Sequence, residues 1–290
     1  MNGLLVLDKP SGMTSHDAVA IVRRATGEKS VGHLGTLDPM ATGVLPLLLG
    51  KYTRLAQFFG QADKHYTGHI HFGFATDTFD FEGTPTSSTK PLKQSLEDLR
   101  ALSRQFRGEI DQVPPIFSAK KINGVAAHKL ARAGAEVPVK AARITIHDFQ
   151  LTFLEANTAA FAISVSAGGY VRSVAHELGQ LAGCGAHLTS LRRTRAGAFT
   201  LDHAINIDQL KGATPAEVEA LLPHPRTLLP EMPSVTVDDQ LAGRLRNGMQ
   251  VNLPDFSQAP LIKIFSAPTE LLAIGRRIAG TLMQPIVVLG

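Results

Sequence analysis

The sequence is organised around residues 32–50, which read GHLGTLDPMATGVLPLLLG. Asp38 is the only charged residue in this stretch, and Gly35 and Pro39 on either side of it favour sharp turns of the backbone. The apolar run at 44–49 has the composition of a buried segment. Together these features predict a rigid loop that presents one carboxylate from an apolar scaffold.

Two roles for Asp38 are compatible with this position. An aspartate held in a rigid loop can act as a nucleophile or as a general acid or base. An aspartate in a turn more often has a structural role only, because it accepts hydrogen bonds from its own backbone. The stretch by itself leaves both interpretations open.

Length and composition are typical of a soluble globular protein. The 290 residues correspond to about two domains, and the 44% hydrophobic and 19% charged residues suit a full core. Residues 1–9 lack the pattern of a signal peptide, and no apolar run approaches the roughly 18 residues of a membrane span. Cys184 is the only cysteine, so we expect no internal disulfide and a reducing, cytoplasmic location.

A mild excess of positive charge is compatible with a nucleic-acid partner. The formal net charge is +4 and the isoelectric point is near 9.3. The clustered basic residues are Lys120 and Lys121, then Arg192, Arg193 and Arg195, then Arg244 and Arg246, and finally Arg276 and Arg277. Each cluster could equally be an ordinary solvated surface, so charge alone assigns no partner.

Hydrophobic periodicity predicts a mixture of strands and helices. The predicted strands are 3–8, 64–74, 144–153 and 161–165, with Tyr66 on the more apolar face of the second. Three helices are predicted. The first begins at a cap on Ser15 and ends at Gly27, the second lies around 96–106, and the third extends from Val171 to about Ala182. This mixture is compatible with an α/β fold.

Arg172 occupies an unusual position, in the first turn of the last of these predicted helices. A cation there opposes the helix dipole, at a cost of several tenths of a kcal/mol. A nearby anion would compensate for this cost, and a catalytic carboxylate is a suitable anion. A freely solvated arginine is the alternative.

A predicted domain boundary lies where four prolines crowd one short segment, Pro223, Pro225, Pro230 and Pro233. Beyond it, strands at 261–265, 271–274 and 286–289 and a helix near 240–246 predict a small unit of short strands. The sequence shows no internal repeat and no long low-complexity segment.

Several common catalytic motifs are missing from the sequence. It has no phosphate-binding loop, no complete dinucleotide fingerprint and no Gly-x-Ser-x-Gly elbow. His69 and His71 share a strand face without an evident third metal ligand. A hydrolase that uses two carboxylates would need a partner for Asp38, and Asp77 or Asp80 could serve.

Five blocks of sequence then carry a more specific signal. They are Leu7-Asp8-Lys9-Pro10, the Asp38 loop at 32–43, the Tyr66 strand at 64–73, the block at 118–124, and Gly169-Tyr170-Val171-Arg172 with 184–187 and 191–194. In order and spacing, over about residues 3–200, they resemble the motifs of bacterial tRNA pseudouridine synthases of the TruB type. One departure is His128, where that family often has a tyrosine.

The resemblance implies a fold class and a domain division. The expected fold is α/β, of the α+β type, with a mixed and largely antiparallel central sheet, flanking helices and a catalytic cleft. Residues 1–230 would form the pseudouridine synthase catalytic domain. Residues 231–290 would form a small β-rich, PUA-like RNA-binding domain.

The resemblance also implies an activity, which is conversion of the uridine at position 55, in the T-loop of tRNA, to pseudouridine. The target base would flip out of the folded loop, at a cost of a few kcal/mol, and form a covalent adduct with an aspartate. Attack at the ribose, attack at the base and a glycal route all stay open. The expected enzyme needs no metal or organic cofactor. It would be a cytoplasmic monomer that binds the tRNA T-stem-loop and does not bind a membrane. It would also assist tRNA folding.

Roles for individual residues follow from the resemblance. The expected catalytic residues are Asp38 as nucleophile, Arg172 as its ion-pair partner, and Tyr66, whose ring would also stack on the flipped uracil. His33 would fill the space that the base leaves. The other expected substrate contacts are the pocket walls Tyr170 and Leu191 and the cations Lys9, Lys120, Arg192 and Arg193.

Two other functions remain as alternatives. A protein with this fold could bind or fold tRNA without catalysis, and a pair of carboxylates could hydrolyse a glycosidic bond. The first alternative predicts RNA binding without product. The second predicts incorporation of water and a cleaved product.

Overall fold

The structure is a computed structural model that describes residues 1–118, 121–122, 125–127, 130, 140–254 and 257–290. Two residues of the sequence analysis, Lys120 and His128, lie outside the described residues. The predicted roles of both therefore stay predictions.

The strands of the described residues form two larger sheets and one hairpin. In chain order they are β1 (Gly3–Lys9), β2 (Val31–His33), β3 (Thr42–Leu49), β4 (Lys64–Phe72), β5 (Gly108–Gln112), β6 (Lys121–Ile122), β7 (Val125–Ala126), β8 (Ala142–Glu155), β9 (Thr158–Val165), β10 (Ala186–Ala196), β11 (Phe199–Thr200), β12 (Ile205–Asn206), β13 (Ser234–Thr236), β14 (Val251–Asn252), β15 (Leu261–Ala267), β16 (Glu270–Ala279) and β17 (Leu282–Val288).

The helices of the described residues are mostly short. The α-helices are α1 (Ser15–Thr26), α2 (Ala56–Phe59), α3 (Leu96–Ser103), α4 (Val171–Leu181), α5 (Ile207–Leu210), α6 (Pro215–Ala220) and α7 (Asp239–Arg246). Single turns of 3-10 helix occur at Arg104–Phe106, Leu201–His203 and Pro225–Thr227, and a longer one at Gly50–Leu55.

The first sheet has ten strands in the order β12-β1-β3-β10-β4-β9-β8-β5, with β2 beside β3 and β11 beside β10. The pairs β1–β12 and β3–β10 are parallel, and the other pairs in this sheet are antiparallel. Helix α4 packs against β10, and α3 packs against β8. The predicted α/β fold with a largely antiparallel mixed sheet is confirmed.

Strand β10 lies at the centre of this sheet and was not predicted. It pairs with β3 at Arg193 and Gly43, and with β4 at Arg193 and Tyr66. Three arginines within the strand obscure its apolar alternation, although Leu188, Leu191 and Arg193 are buried. Strand β10 therefore lies between the strand that follows the Asp38 loop and the strand that carries Tyr66, and pairs with both.

Helix α1 begins one residue earlier than its predicted cap implies. Thr14 is the N-cap, because its side chain accepts a hydrogen bond from Asp17 N while the Asp17 carboxylate accepts one from Thr14 N. Gly27 ends the helix in the left-handed conformation, as predicted. Ser15 is buried instead, and its hydroxyl donates to Leu37 O at 3.1 Å and accepts from Leu37 N at 2.9 Å.

The second sheet has five strands in the order β13-β15-β16-β17-β14, and α7 packs against it. An apolar cluster joins the two sheets, with Leu4 and Val6 of β1 packed together with Phe265 and Ile274. The predicted division between residues 230 and 231 stays a prediction. No helix among the described residues is long and apolar enough to cross a membrane.

Candidate active site

The loop between β2 and β3 holds Asp38 at the edge of the first sheet. Leu34 N donates to Pro46 O, and Ala41 N donates to Asp38 O. Gly12 N, on the turn before α1, donates to Pro39 O at 3.0 Å. With the Ser15–Leu37 pair, these bonds fix the loop from two directions, and they leave the Asp38 side chain 32% exposed.

Lys9 supports this loop from inside the protein, where its side chain is not exposed to solvent. Its side chain is completely buried, and Nζ donates to Pro10 O and Met13 O, both at 2.8 Å, and to Pro39 O at 3.3 Å. Burial lowers the pKa of Lys9 to about 8, and the Asp38 charge opposes this shift. Its ammonium group is bound by backbone carbonyls, and its predicted substrate contact stays a prediction.

Arg193 supports the same loop from β10. The residue is 1% exposed, and its guanidinium donates from Nε to Val44 O at 2.6 Å and from Nη2 to Gly35 O at 3.1 Å. Nη1 donates to Thr36 O at 3.4 Å. Its donors are bound to carbonyls inside the protein, and its predicted phosphate contact stays a prediction.

Arg172 forms an ion pair with Asp38 that involves both carboxylate oxygens. Nη2 donates to Oδ1 at 3.0 Å, and Nε lies 2.9 Å from Oδ2. Backbone carbonyls take the other donors, with Nη1 to Thr78 O at 3.0 Å and Nη2 to Phe117 O at 2.9 Å. The arginine is 4% exposed, so the cation in the first turn of α4 is compensated by a carboxylate, as the sequence analysis expected.

A second carboxylate, that of Asp80, faces the same guanidinium. Its Oδ2 lies 3.5 Å from Nη1 of Arg172, and its Oδ1 accepts from the Thr78 hydroxyl at 2.6 Å. Burial raises the pKa of Asp80, whereas the Thr78 hydrogen bond and the Arg172 charge lower it. The sequence analysis considered Asp80 only as a partner for Asp38. Its contact with Arg172 was missed, because its polar loop carries no signal of burial.

Asp38 and Arg172 open into a cleft of about 260 Å³. The residues that line it include Gly35, Thr36 and Leu37 of the loop, Lys64 and Tyr66 of β4, Leu191 of β10, and Ser166 to Val171 before and at the start of α4. Five side chains predicted from the sequence, those of Asp38, Tyr66, Tyr170, Leu191 and Arg193, therefore share one cavity with Arg172. Its depth and mixed lining suit one planar, polar ring with an attached sugar.

The backbone around Tyr170 is fixed by one side chain of β5. Gln112 accepts a hydrogen bond from Tyr170 N at 2.7 Å and donates one to Tyr170 O at 3.0 Å. Tyr170 is the N-cap residue of α4 and makes no side-chain cap of its own. Burial raises the pKa of its phenol. Sequence analysis missed Gln112, whose role depends on a contact across 58 positions.

His33 ends β2 beside the loop. Its ring lies edge-on to that of His16, with centroids 5.9 Å apart, and Nδ1 is buried without a hydrogen-bond partner among the described residues. Burial, followed by the charges of His16 and Arg193, lowers the pKa of His33. Burial therefore favours the neutral form of the ring, whose Nδ1 is a free polar atom among the described residues.

Unlike the side chain of Arg193, that of Arg192 is partly exposed to solvent. Its guanidinium forms an ion pair with Asp8, with Nη2 to Oδ2 at 2.7 Å, and 39% of the side chain is exposed. Its predicted phosphate contact stays a prediction. Within the described ranges, no group of three or more His, Cys, Asp or Glu side chains could hold a metal ion.

Comparisons with known proteins agree with this geometry. Residues 23–171 match the model of the N-terminal domain of TruB family pseudouridylate synthases, and residues 172–229 match that of the tRNA pseudouridylate synthase B C-terminal domain. A tRNA pseudouridine synthase B from Solibacter usitatus (strain Ellin6076) is 42% identical over 100% of both chains. One from Burkholderia mallei (strain NCTC 10247) is 38% identical over 97% of this chain and 95% of its own.

A solved structure, that of a Cbf5-Nop10-Gar1 complex, supports the same assignment. It superposes with a TM-score of 0.70 and 25% identity, and the match covers 99% of this chain and 85% of that chain. The resemblance found in the sequence motifs is confirmed. The chain belongs to the TruB family of pseudouridylate synthases.

Proposed function

We propose that this protein isomerises uridine to pseudouridine in tRNA, at position 55 of the T-loop, with Asp38 as the nucleophile. One observation carries the proposal: the Asp38 carboxylate, bound through both oxygens by Arg172, lies in a cleft lined by Tyr66 and Leu191. Its relatives bear the name tRNA pseudouridine synthase B, which supports tRNA as the substrate.

The reaction rearranges bonds within one nucleotide. The bond between uracil N1 and ribose C1′ breaks, the uracil turns, and a bond between C5 and C1′ forms. The proton on C5 is lost and N1 gains one, so substrate and product are isomers. A covalent adduct with Asp38 divides this change into separate steps. The adduct forms at C1′ or C6, or the bond breaks through a glycal, and the position of Asp38 is compatible with each route.

The residues around Asp38 have distinct parts in this proposal. Arg172 fixes the orientation of the carboxylate, because a guanidinium that contacts both oxygens leaves little rotational freedom. Tyr66 stacks on the flipped uracil, an interaction worth about 1–3 kcal/mol per base. Tyr170 and Leu191 close the pocket. Lys9 and Arg193 hold the backbone of the loop in place.

His33 is proposed to occupy the space that the flipped base leaves in the RNA. Its neutral ring is flat, lies beside the nucleophile loop and has an unpaired Nδ1. These properties suit a side chain that stacks between bases and takes over a hydrogen bond.

RNA contacts away from the cleft are proposed for exposed cations. Arg192 borders the loop on β10, and the predicted PUA-like unit at 231–290 presents Arg244 and Arg276 to solvent. Contacts of this kind to phosphates position an RNA without reading its sequence. A monomeric state, a cytoplasmic location and assistance to tRNA folding belong to the same proposal.

Replacement of Asp38 by asparagine tests the proposal. Isomerisation of tRNA labelled with tritium at uridine C5 releases tritium, because C5 loses its hydrogen. We expect Asp38→Asn to release none while its tRNA Kd stays within about threefold of wild type, since the amide keeps the shape but is not a nucleophile. Asp77→Asn is the matched control: Asp77 is exposed in the next loop and only accepts from Thr84 N, so turnover should persist.

The alternatives give different results. Wild-type protein that binds tRNA and releases no tritium would be a binding protein without catalysis. Free uracil and an abasic site would indicate a hydrolase. Normal turnover by Asp38→Asn would remove Asp38 from the mechanism, and turnover of a tRNA with cytidine at position 55 would refute the proposed site.

A further inference from the structure

The loop between β4 and α3 contains a strained residue next to the active site. Phe79 has a φ of 64°, in the left-handed region that bulky side chains rarely adopt. Its two neighbours, Thr78 and Asp80, are the residues of this loop that contact Arg172. A non-glycine residue persists in this conformation only where its surroundings hold it there.

The Phe79 ring is held by a histidine of α4. The rings of Phe79 and His176 are stacked, with centroids 3.9 Å apart and planes 20° from parallel. His176 lies four residues after Arg172, so both side chains leave the same face of the helix. The element that supplies Arg172 therefore also holds the residue between its two contacts.

Backbone hydrogen bonds hold the main chain of Phe79, and the stack holds its side chain. Phe79 N donates to Thr76 O at 3.3 Å, and Leu188 N of β10 donates to Phe79 O at 3.0 Å. Phe81 N donates to Leu188 O at 2.8 Å. None of these bonds involves the Phe79 side chain, and Nδ1 of His176 has no hydrogen-bond partner among the described residues. The histidine thus contributes its ring face, which suits a positioning role.

We propose that the Phe79–His176 stack positions Arg172 for the reaction. The inference rests on the proposed function, in which Arg172 orients Asp38. Without the stack, only backbone hydrogen bonds oppose the strain at Phe79, and Thr78 O and Asp80 are placed less accurately against the guanidinium. Arg172 is then positioned less accurately, and so is the Asp38 carboxylate. The consequence falls on the chemical step, since Phe79 and His176 do not line the cleft.

The test compares His176→Ala with His176→Phe in the full chain. We expect His176→Ala to lower the single-turnover rate constant of tritium release about tenfold, because small misplacements of reacting groups have effects of this size. Its tRNA Kd should stay within about twofold of wild type, since substrate contacts are intact. His176→Phe keeps a flat ring for the stack and should restore the rate.

Two further variants separate positioning from general loss of structure. Gln180→Ala removes an exposed side chain one turn further along α4 and should leave the rate unchanged. Phe79→Leu keeps an apolar side chain without a ring and should slow the reaction as His176→Ala does, and the double variant should be no slower than either single variant.

Three outcomes would overturn the inference. They are an unchanged rate in both His176→Ala and Phe79→Leu, a His176→Phe variant as slow as His176→Ala, or rate losses that coincide with equal losses of tRNA affinity and of thermal stability. Wild type and Asp38→Asn are measured in parallel. If wild type releases tritium and Asp38→Asn does not, a failed result concerns the stack and leaves the proposed function intact.

Discussion

A single guanidinium, that of Arg172, lies between the carboxylates of Asp38 and Asp80. The arginine is 4% exposed and Asp80 is buried to the same degree, whereas Asp38 reaches the cleft. One cation therefore serves two purposes: it satisfies a buried carboxylate and orients the proposed nucleophile. Removal of the cation would affect both stability and catalysis.

Arg172→Lys separates these two effects better than Arg172→Ala. Alanine leaves a buried carboxylate without its cation, which typically costs 3–5 kcal/mol of stability. Lysine keeps the charge but lacks the planar fork that contacts both oxygens of Asp38. We expect Arg172→Lys to fold with a modest loss in melting temperature and to lose at least about 100-fold in turnover, with tRNA binding little changed. Full activity would refute the orienting role.

The burial of Lys9 predicts a pH dependence of stability. Its pKa falls from 10.5 to about 8 on folding, so between these values the unfolded chain binds a proton that the folded chain does not. The free energy of unfolding therefore rises with pH in this window, by at most about 1.4 kcal/mol per pH unit. Below about pH 8 both states are protonated, and this contribution no longer changes.

Urea unfolding of wild type and Lys9→Met between pH 7 and 9.5 checks this expectation. Methionine cannot titrate, so the stability of wild type relative to the variant should increase above about pH 8. A difference that stays constant, or that falls, would show that burial does not shift the pKa of Lys9 in this direction.

Among the secondary-structure elements, the parallel pair β3–β10 imposes a tight local constraint. Gly43 pairs with Arg193, has a φ of 104°, and a Cβ added there would lie 2.2 Å from Arg193 O. Only glycine allows the two backbones to approach so closely five residues after Asp38. The short distance therefore couples the nucleophile loop to β10.

Gly43→Ala should lower the free energy of unfolding by far more than the backbone strain of a positive φ alone would. We expect a loss of about 3 kcal/mol or more, because both the positive φ and the overlap with backbone atoms oppose a side chain. Gly27→Ala is the matched control: it has a φ of 66° with nothing within 4 Å of the added Cβ, so only strain of about 1 kcal/mol applies. Equal losses in urea unfolding would contradict the close approach.

The elements also show what the sequence can and cannot predict. Strands such as β4 and β9 were predicted because apolar side chains alternate along them, and α4 because its apolar face has helical spacing. Strand β10 was missed because its arginines interrupt the pattern. The burial of Lys9 and Arg193 was not predicted because a sequence reveals charge but not burial, and Asp80 and Gln112 were missed because their partners are distant in the chain.

In the molecule as a whole, the second sheet packs against the first through a shared apolar cluster. Phe265 and Ile274 pack with Leu4 and Val6 of the central sheet, and the buried Lys263 donates to Arg226 O at 2.8 Å and Leu228 O at 2.6 Å. Deletion from Pro230 onward would expose this apolar cluster to water. Substitutions of surface charges are therefore the better test of an RNA-binding role.

Arg276→Gln tests that role without exposing the core. Arg276 is exposed on β16, and a contact with one phosphate would contribute about one unit to the slope of log K against log salt concentration. We expect the variant to bind tRNA more weakly and with a slope shallower by about one unit. Arg104→Gln makes the same charge change on an exposed turn beside β8 and should leave the slope unchanged.

The central position of β10 has a consequence for the order of events during synthesis. The flanking strands β3 and β4 are translated early, but the strand that joins them begins only at Ala186. Until then the growing chain exposes two unpaired strand edges. Such edges are sites for chaperone binding and for aggregation. Arg172 precedes β10, and Arg193 arrives with it, so the nucleophile loop acquires its last support when two thirds of the chain have been made. We therefore expect a nascent chain on the ribosome to be inactive until β10 has been synthesised.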